Sequence, residues 1–310
     1  MGRTLAAAAL AAIALFAPQA GAAESVADSS RDMPSIREGA GVHAIRRFQF
    51  QHYDDGARHH LPLRYVSEAP AQQERKGPME HLLIGFVSSL NSQYVSKELP
   101  DSKGPVWQPS ATVELYGLGL NVWSNFVLND EANQGQFNEV DFTTYYTAHI
   151  GKLTIHPYFT FMVFPNGDPA SLDYTPAPVI EGDIYVQYNL GDFDLFGRMR
   201  ARIKQTSGQV YANAGAGYGH LFPCGMTLLA SVLINMGNEQ YLSAQYGPTE
   251  TNIDAAAFML GASWKVGGVT FRPNVNLAVH VIPEIRRSIR QNTDLDTYLV
   301  WGGMDIMYDF

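Results

Sequence analysis

Arg198, Arg200, Arg202 and Lys204 recur at every second position of one stretch, so in an extended chain all four point to the same side. A column of cations repels itself unless opposite charge answers it. The preceding stretch can supply that charge, because only Gly191-Asp192 separates the two. A two-residue turn there pairs Leu190 with Phe193, which sets Asp183 opposite Arg200, Glu181 opposite Arg202 and Tyr185 opposite Arg198. Two kinds of chemistry fit such a wall. It is either a basic track that draws anionic solutes along a narrow passage, or a salt-bridged interior that fills and stiffens the protein. The other face of the same stretch, Phe193, Leu195, Gly197, Met199, Ala201 and Ile203, is apolar or small. Glu114, Glu139, Asp141 and Asp305 occupy the corresponding polar face elsewhere.

Other constellations are weaker. His149 and His156 fall on neighbouring polar faces one diagonal apart; hydrogen bonds to Thr154 and Thr147 account for them more simply than a metal does. His43, His52, His59 and His60 show no repeated ligand spacing. Glu139 and Asp141, two apart, have the separation of an acid pair but no cleft to work in, so lining an interior is the expectation. Ser124 lacks a histidine on its own face of a neighbouring stretch, and Cys224, the single cysteine, sits in a turn as an inert thiol. No catalytic residue, metal or cofactor is expected.

The elements that position these residues alternate with period two. Twelve stretches do so, at residues 81–96, 106–116, 119–129, 137–150, 153–164, 179–190, 193–204, 209–221, 226–236, 251–266, 269–282 and 297–310. Their connections alternate short and long. Four short ones begin with glycine (Gly117-Leu118, Gly151-Lys152, Gly191-Asp192, Gly267-Gly268) and suit type II′ turns; the fifth is Phe222-Pro223-Cys224-Gly225. The long ones are polar, and the spacing predicts no helices. Val122, Phe142, Phe159 and Leu195 belong to apolar faces whose opposite faces are polar, which predicts an all-β, twelve-stranded antiparallel transmembrane barrel rather than a sandwich with a dry core. Tyr218, Phe222, Trp264, Phe271, Tyr298, Tyr308 and Phe310 at stretch ends suit interfacial girdles, with Trp107 and Tyr94 at the upper one. The stretches 153–161 and 269–277 echo each other, each with a proline, Pro157 and Pro273, on the apolar face.

Residues 1–22 read as a cleaved secretory signal: Arg3, an Ala/Leu/Ile run, then Ala20-Gly21-Ala22. Residues 23–80 are polar and aperiodic and read as a largely disordered periplasmic extension, leaving 81–310 for the barrel. Losing Arg3 from 21 basic against 30 acidic residues leaves a formal balance of −10, a poor match to nucleic acid. One cysteine permits no internal disulfide.

The motifs Gly104-Pro-Val-Trp-Gln-Pro-Ser110, Leu120-Asn-Val-Trp-Ser-Asn125 and Asn138-Glu-Val-Asp141, with a terminal Phe310 following Tyr308 on one face, resemble a group of proteobacterial, porin-like outer-membrane barrel proteins. The resemblance implies a cell-outer-membrane location and recognition of the last strand, through Tyr308 and Phe310, by the barrel assembly machinery. It brings no activity and no site residues. In architecture alone the arginine column also resembles the twelve-stranded channels for acidic oligosaccharides. Together these readings predict a non-enzymatic barrel with both termini periplasmic. It acts as a channel for small polar or anionic solutes or as a structural barrel with a charge-filled lumen. The alternatives are a lipid-modifying barrel enzyme and a barrel that docks a partner through its extension or outer loops. Expected partners are outer-membrane lipid and lipopolysaccharide, whose phosphates Arg286, Arg287 and Arg290 could meet.

Overall fold

A computed structural model describes residues 82–96, 99–102, 104–129, 137–165, 178–204, 208–247, 252–292 and 296–309. The signal and extension expected over residues 1–80, with their four histidines, and Phe310 lie outside the described residues.

Among the described residues fifteen strands form in chain order: β1 Leu82–Asn91, β2 Tyr94–Ser96, β3 Leu99–Ser102, β4 Val106–Leu115, β5 Leu118–Val127, β6 Phe137–Tyr146, β7 Ala148–Ile150, β8 Leu153–Val163, β9 Val179–Asn189, β10 Phe193–Lys204, β11 Val210–Leu221, β12 Thr227–Gly237, β13 Ile253–Val266, β14 Val269–Val279 and β15 Tyr298–Asp309. Every ladder is antiparallel. Pairing runs β6-β5-β4-β1-β15-β14-β13-β12-β11-β10-β9-β8, and β8 pairs back to β6, with β7 continuing β6. Twelve strands therefore close on themselves, and first and last are neighbours, with Phe86 opposite Tyr308. Closure leaves this sheet without an edge, as a wall in hydrocarbon would require.

The faces divide as the alternation requires. Phe142, Phe159 and Leu195 are 44%, 47% and 50% exposed on the outer wall, and Val122 stands beside Phe142 in register. Trp107 and Phe126 stack at 5.0 Å on the outside near the long-loop end, and Phe193 and Tyr218 meet at 4.9 Å near the tight-turn end.

Three prolines mark where ladders break. Pro109, Pro157 and Pro273 each pair with one neighbouring strand and lie in a gap against the other. A residue without an N–H cannot serve both sides. Opposite Pro157 the expected continuous stretch 137–150 parts at Thr147 into β6 and β7.

Four expectations need correction. The stretch 81–96 is not one strand: β1 ends at Asn91, and β2 turns away from the wall to pair with β3. The first tight turn is Tyr116-Gly117 rather than Gly117-Leu118. Both of its residues have positive φ, 53° and 84°, which is type I′ geometry, and Leu118 joins the outer belt as the partner of Leu115. The long loops also contain helices, Glu239–Tyr246 and Pro283–Asn292. Asn238 caps the first by accepting from the Tyr241 N–H at 3.0 Å, and Pro283 opens the second, where a missing N–H costs nothing. Finally, Tyr94 does not join the upper girdle, as its surroundings show next.

Candidate functional site

The tight Gly191-Asp192 turn, closed by the Leu190 N–H donating to the Phe193 carbonyl at 2.7 Å, fixes the register of β9 and β10. Arg198 stands opposite Tyr185, Arg200 opposite Asp183 and Arg202 opposite Glu181. All six share the inner face. The side chains make a continuous ladder. Asp183 accepts from Arg198 Nε at 2.6 Å and from Arg200 Nε at 3.2 Å, and Arg198 Nη2 also pairs with it. Glu181 takes Arg202 Nε at 3.1 Å and approaches Arg200 at 3.4 Å. Arg198 lies 5.8 Å from the centre of the Tyr158 ring. Asp183 and Arg200 side chains are each 3% exposed, so the ladder is shielded from bulk solvent.

Lys204 is not part of this column. A β-bulge between Arg202 and Lys204 makes Lys204 the partner of Ile180, whose own partner Phe161 is on the outer wall. The extra residue flips the alternation, and Lys204 is exposed at the rim.

The remaining predicted acids do face inward, but the structure does not gather them at the ladder. Glu114 on β4 accepts from the Tyr145 hydroxyl at 3.2 Å. Glu139 on β6 accepts from the Tyr94 hydroxyl at 2.7 Å, and Asp141 is buried opposite Trp123. Glu139 and Asp141 are both buried, 2% and 0% exposed. Asp305 pairs with Arg272 in register, accepting from its Nε at 2.8 Å. The luminal histidines bond to threonines: Nδ1 of His156 lies 3.0 Å from the Thr147 hydroxyl, and Nδ1 of His149 lies 3.0 Å from that of Thr154.

Three features of the inner wall went unread in the sequence. The first is the β2–β3 hairpin, which enters the lumen. Its root is stitched to β15 by the Ser92 N–H donating to the Gly302 carbonyl at 2.9 Å and by Gln93 Nε2 donating to the Val300 carbonyl at 3.3 Å. Tyr94 packs against Trp123, and Val95 joins a buried cluster with Tyr145, Tyr158, Tyr185, Phe196 and Trp301 from across the interior. The second is Arg272. The third is an amide chain across four adjacent strands. Asn91 Nδ2 donates to Gln108 (2.7 Å), Gln108 Nε2 to Asn125 (2.9 Å) and Asn125 Nδ2 to Asn138 (2.5 Å). The inner wall thus carries an ion-pair ladder on β9–β10, and from β1 to β6 an amide chain alongside the buried acids Glu114, Glu139 and Asp141.

At the long-loop rim the two helices meet over the inward Tyr211, burying Tyr241, Leu242, Tyr246, Ile285 and Ile289 together. Beneath them Asp254 accepts from the Tyr246 hydroxyl at 2.7 Å and lies 3.2 Å from His280 Nδ1.

No protein-family model matches the chain, and no curated protein matches it. Solved structures do. The NanC porin is 11% identical with a TM-score of 0.42, covering 73% of this chain and 98% of that one. An outer-membrane channel from Pseudomonas putida F1 is 10% identical with a TM-score of 0.39, over 74% and 94%. OmpF from Salmonella typhi is 9% identical with a TM-score of 0.34, over 74% and 97%. Likenesses of this size carry nothing about what passes through or binds to this chain, whose own geometry must supply that.

Proposed function

We propose that the protein is a porin-like barrel of the outer membrane with a narrow lumen that selects for small polar or anionic solutes. One observation carries the reading: Arg198, Arg200 and Arg202 form a column on the inside of a closed barrel whose outside is apolar. A cylinder greasy outside and charged inside belongs in a bilayer, and an inner cationic column sets a positive potential along any path beside it. Tight turns at one end and long loops at the other support periplasmic termini. Insertion through the last strand is supported by the β1–β15 seam, where Tyr308 closes the ring.

A second reading, a structural barrel with a charge-filled lumen, has its own support: Arg198, Arg200, Glu181, Arg272 and Asp305 are all buried, and the β2–β3 hairpin lies within the lumen. Planar-bilayer recording separates the two. The channel reading expects small stepwise currents that favour anions, with the preference weakened in Arg200→Ala. Absence of current from well-inserted protein, with Arg200→Ala changing stability alone, refutes the channel and leaves the filled barrel.

A further inference from the structure

The helix Pro283–Asn292 is strongly two-faced. Ile285 and Ile289 are buried against the neighbouring helix, and the Ser288 hydroxyl donates to the Tyr246 carbonyl. At 100° per residue Arg287 and Arg290 fall on the opposite side, where both are exposed, and Arg286 flanks them half-buried. Among the described residues none of the three shares an ion pair with a carboxylate. That contrasts with the lumen, where each arginine of the ladder has an acid, and it occurs in a chain with 30 acidic residues against 21 basic.

We propose that this arginine face binds the phosphate groups of an outer-leaflet glycolipid, lipopolysaccharide, in the surrounding membrane; the inference rests on the outer-membrane reading above. Guanidinium groups match phosphate oxygens in pairs and give up hydration readily. The helix is placed for a lipid rather than a solute. It follows Val281 and precedes Tyr298, both exposed, and Tyr298 pairs with Val279 on the outer face of the barrel. Its apolar face is occupied by the other helix, which leaves charge, not hydrocarbon insertion, as its means of attachment.

The test uses full-length protein refolded into phosphatidylethanolamine vesicles, with insertion scored by protease protection. Labelled lipopolysaccharide is then titrated in, with inorganic phosphate as a competitor. The inference expects saturable binding, about fivefold weaker in Arg287→Gln and on the order of twentyfold weaker in Arg287→Gln/Arg290→Gln, weakening as salt rises. Millimolar inorganic phosphate should displace little of it. Inserted protein that binds lipopolysaccharide equally well with and without these arginines overturns the inference alone, as does full displacement by inorganic phosphate, which would mark a soluble anion as the ligand. Failure of the wild type to insert overturns the membrane reading and this inference together.

Discussion

Replacing Asp183 by asparagine removes one negative charge that two arginines share. Its carboxylate is 3% exposed and accepts from both Arg198 and Arg200, so the substitution takes one shared acid from the ladder. Breaking a buried ion pair from one side costs about 3–5 kcal/mol, because the surviving charge keeps its desolvation and loses its partner. Asp183→Asn should therefore lower the unfolding free energy of vesicle-inserted protein in urea by about 3 kcal/mol or more. Asp183→Asn/Arg198→Gln should recover part of that loss, since one uncompensated cation leaves with it. In recordings the single variant should shift selectivity further toward anions. A cost below about 1 kcal/mol would refute the reasoning, because it would mean that water already reaches the arginines and screens them as it does surface pairs.

Two further outcomes test the architecture. Met199→Arg places a cation next to Arg198 in sequence but on the outer face, where Met199 is 54% exposed; in bilayers it should cost about 2–4 kcal/mol in urea unfolding, and a neutral result would contradict a lipid-facing wall. Gly215→Val should destabilise by several kcal/mol and lower the yield of refolded barrel, because a Cβ at that position collides with the Val232 carbonyl and the Phe196 ring; heat-modifiable mobility on gels reads the yield, and wild-type yield would refute the close packing.

What the sequence revealed tracks how far a tight turn can carry register. Gly191-Asp192 sets β9 against β10 with no slack, so the opposition of Arg200 to Asp183 and of Arg202 to Glu181 follows from counting. Arg272 and Asp305 are just as well paired, but residues 280–297 separate their strands, and a long loop leaves the register open. The β2–β3 hairpin was missed because Tyr94, Val95 and Ser96 continue the alternation of β1 while leaving the wall; period two reports an extended chain, not which neighbour it meets. Lys204 was misplaced for the converse reason, since a single bulged residue is invisible to alternation. The helix at Pro283–Asn292 did leave a trace. Ile282, Ile285 and Ile289 follow helical spacing on either side of Pro283, but the loop's polarity obscured it.

The amides of Asn91, Gln108, Asn125 and Asn138 all point the same way round the cylinder, the first three each donating to the next and the last three each accepting from the one before. Their dipoles consequently add along the circumference, so that no member can rotate by half a turn without forcing its neighbours to follow. A mutation at Gln108 or Asn125 would sever two links at once, whereas one at either end severs a single link. The direction of this belt is a property of the set, inherited or lost as a whole.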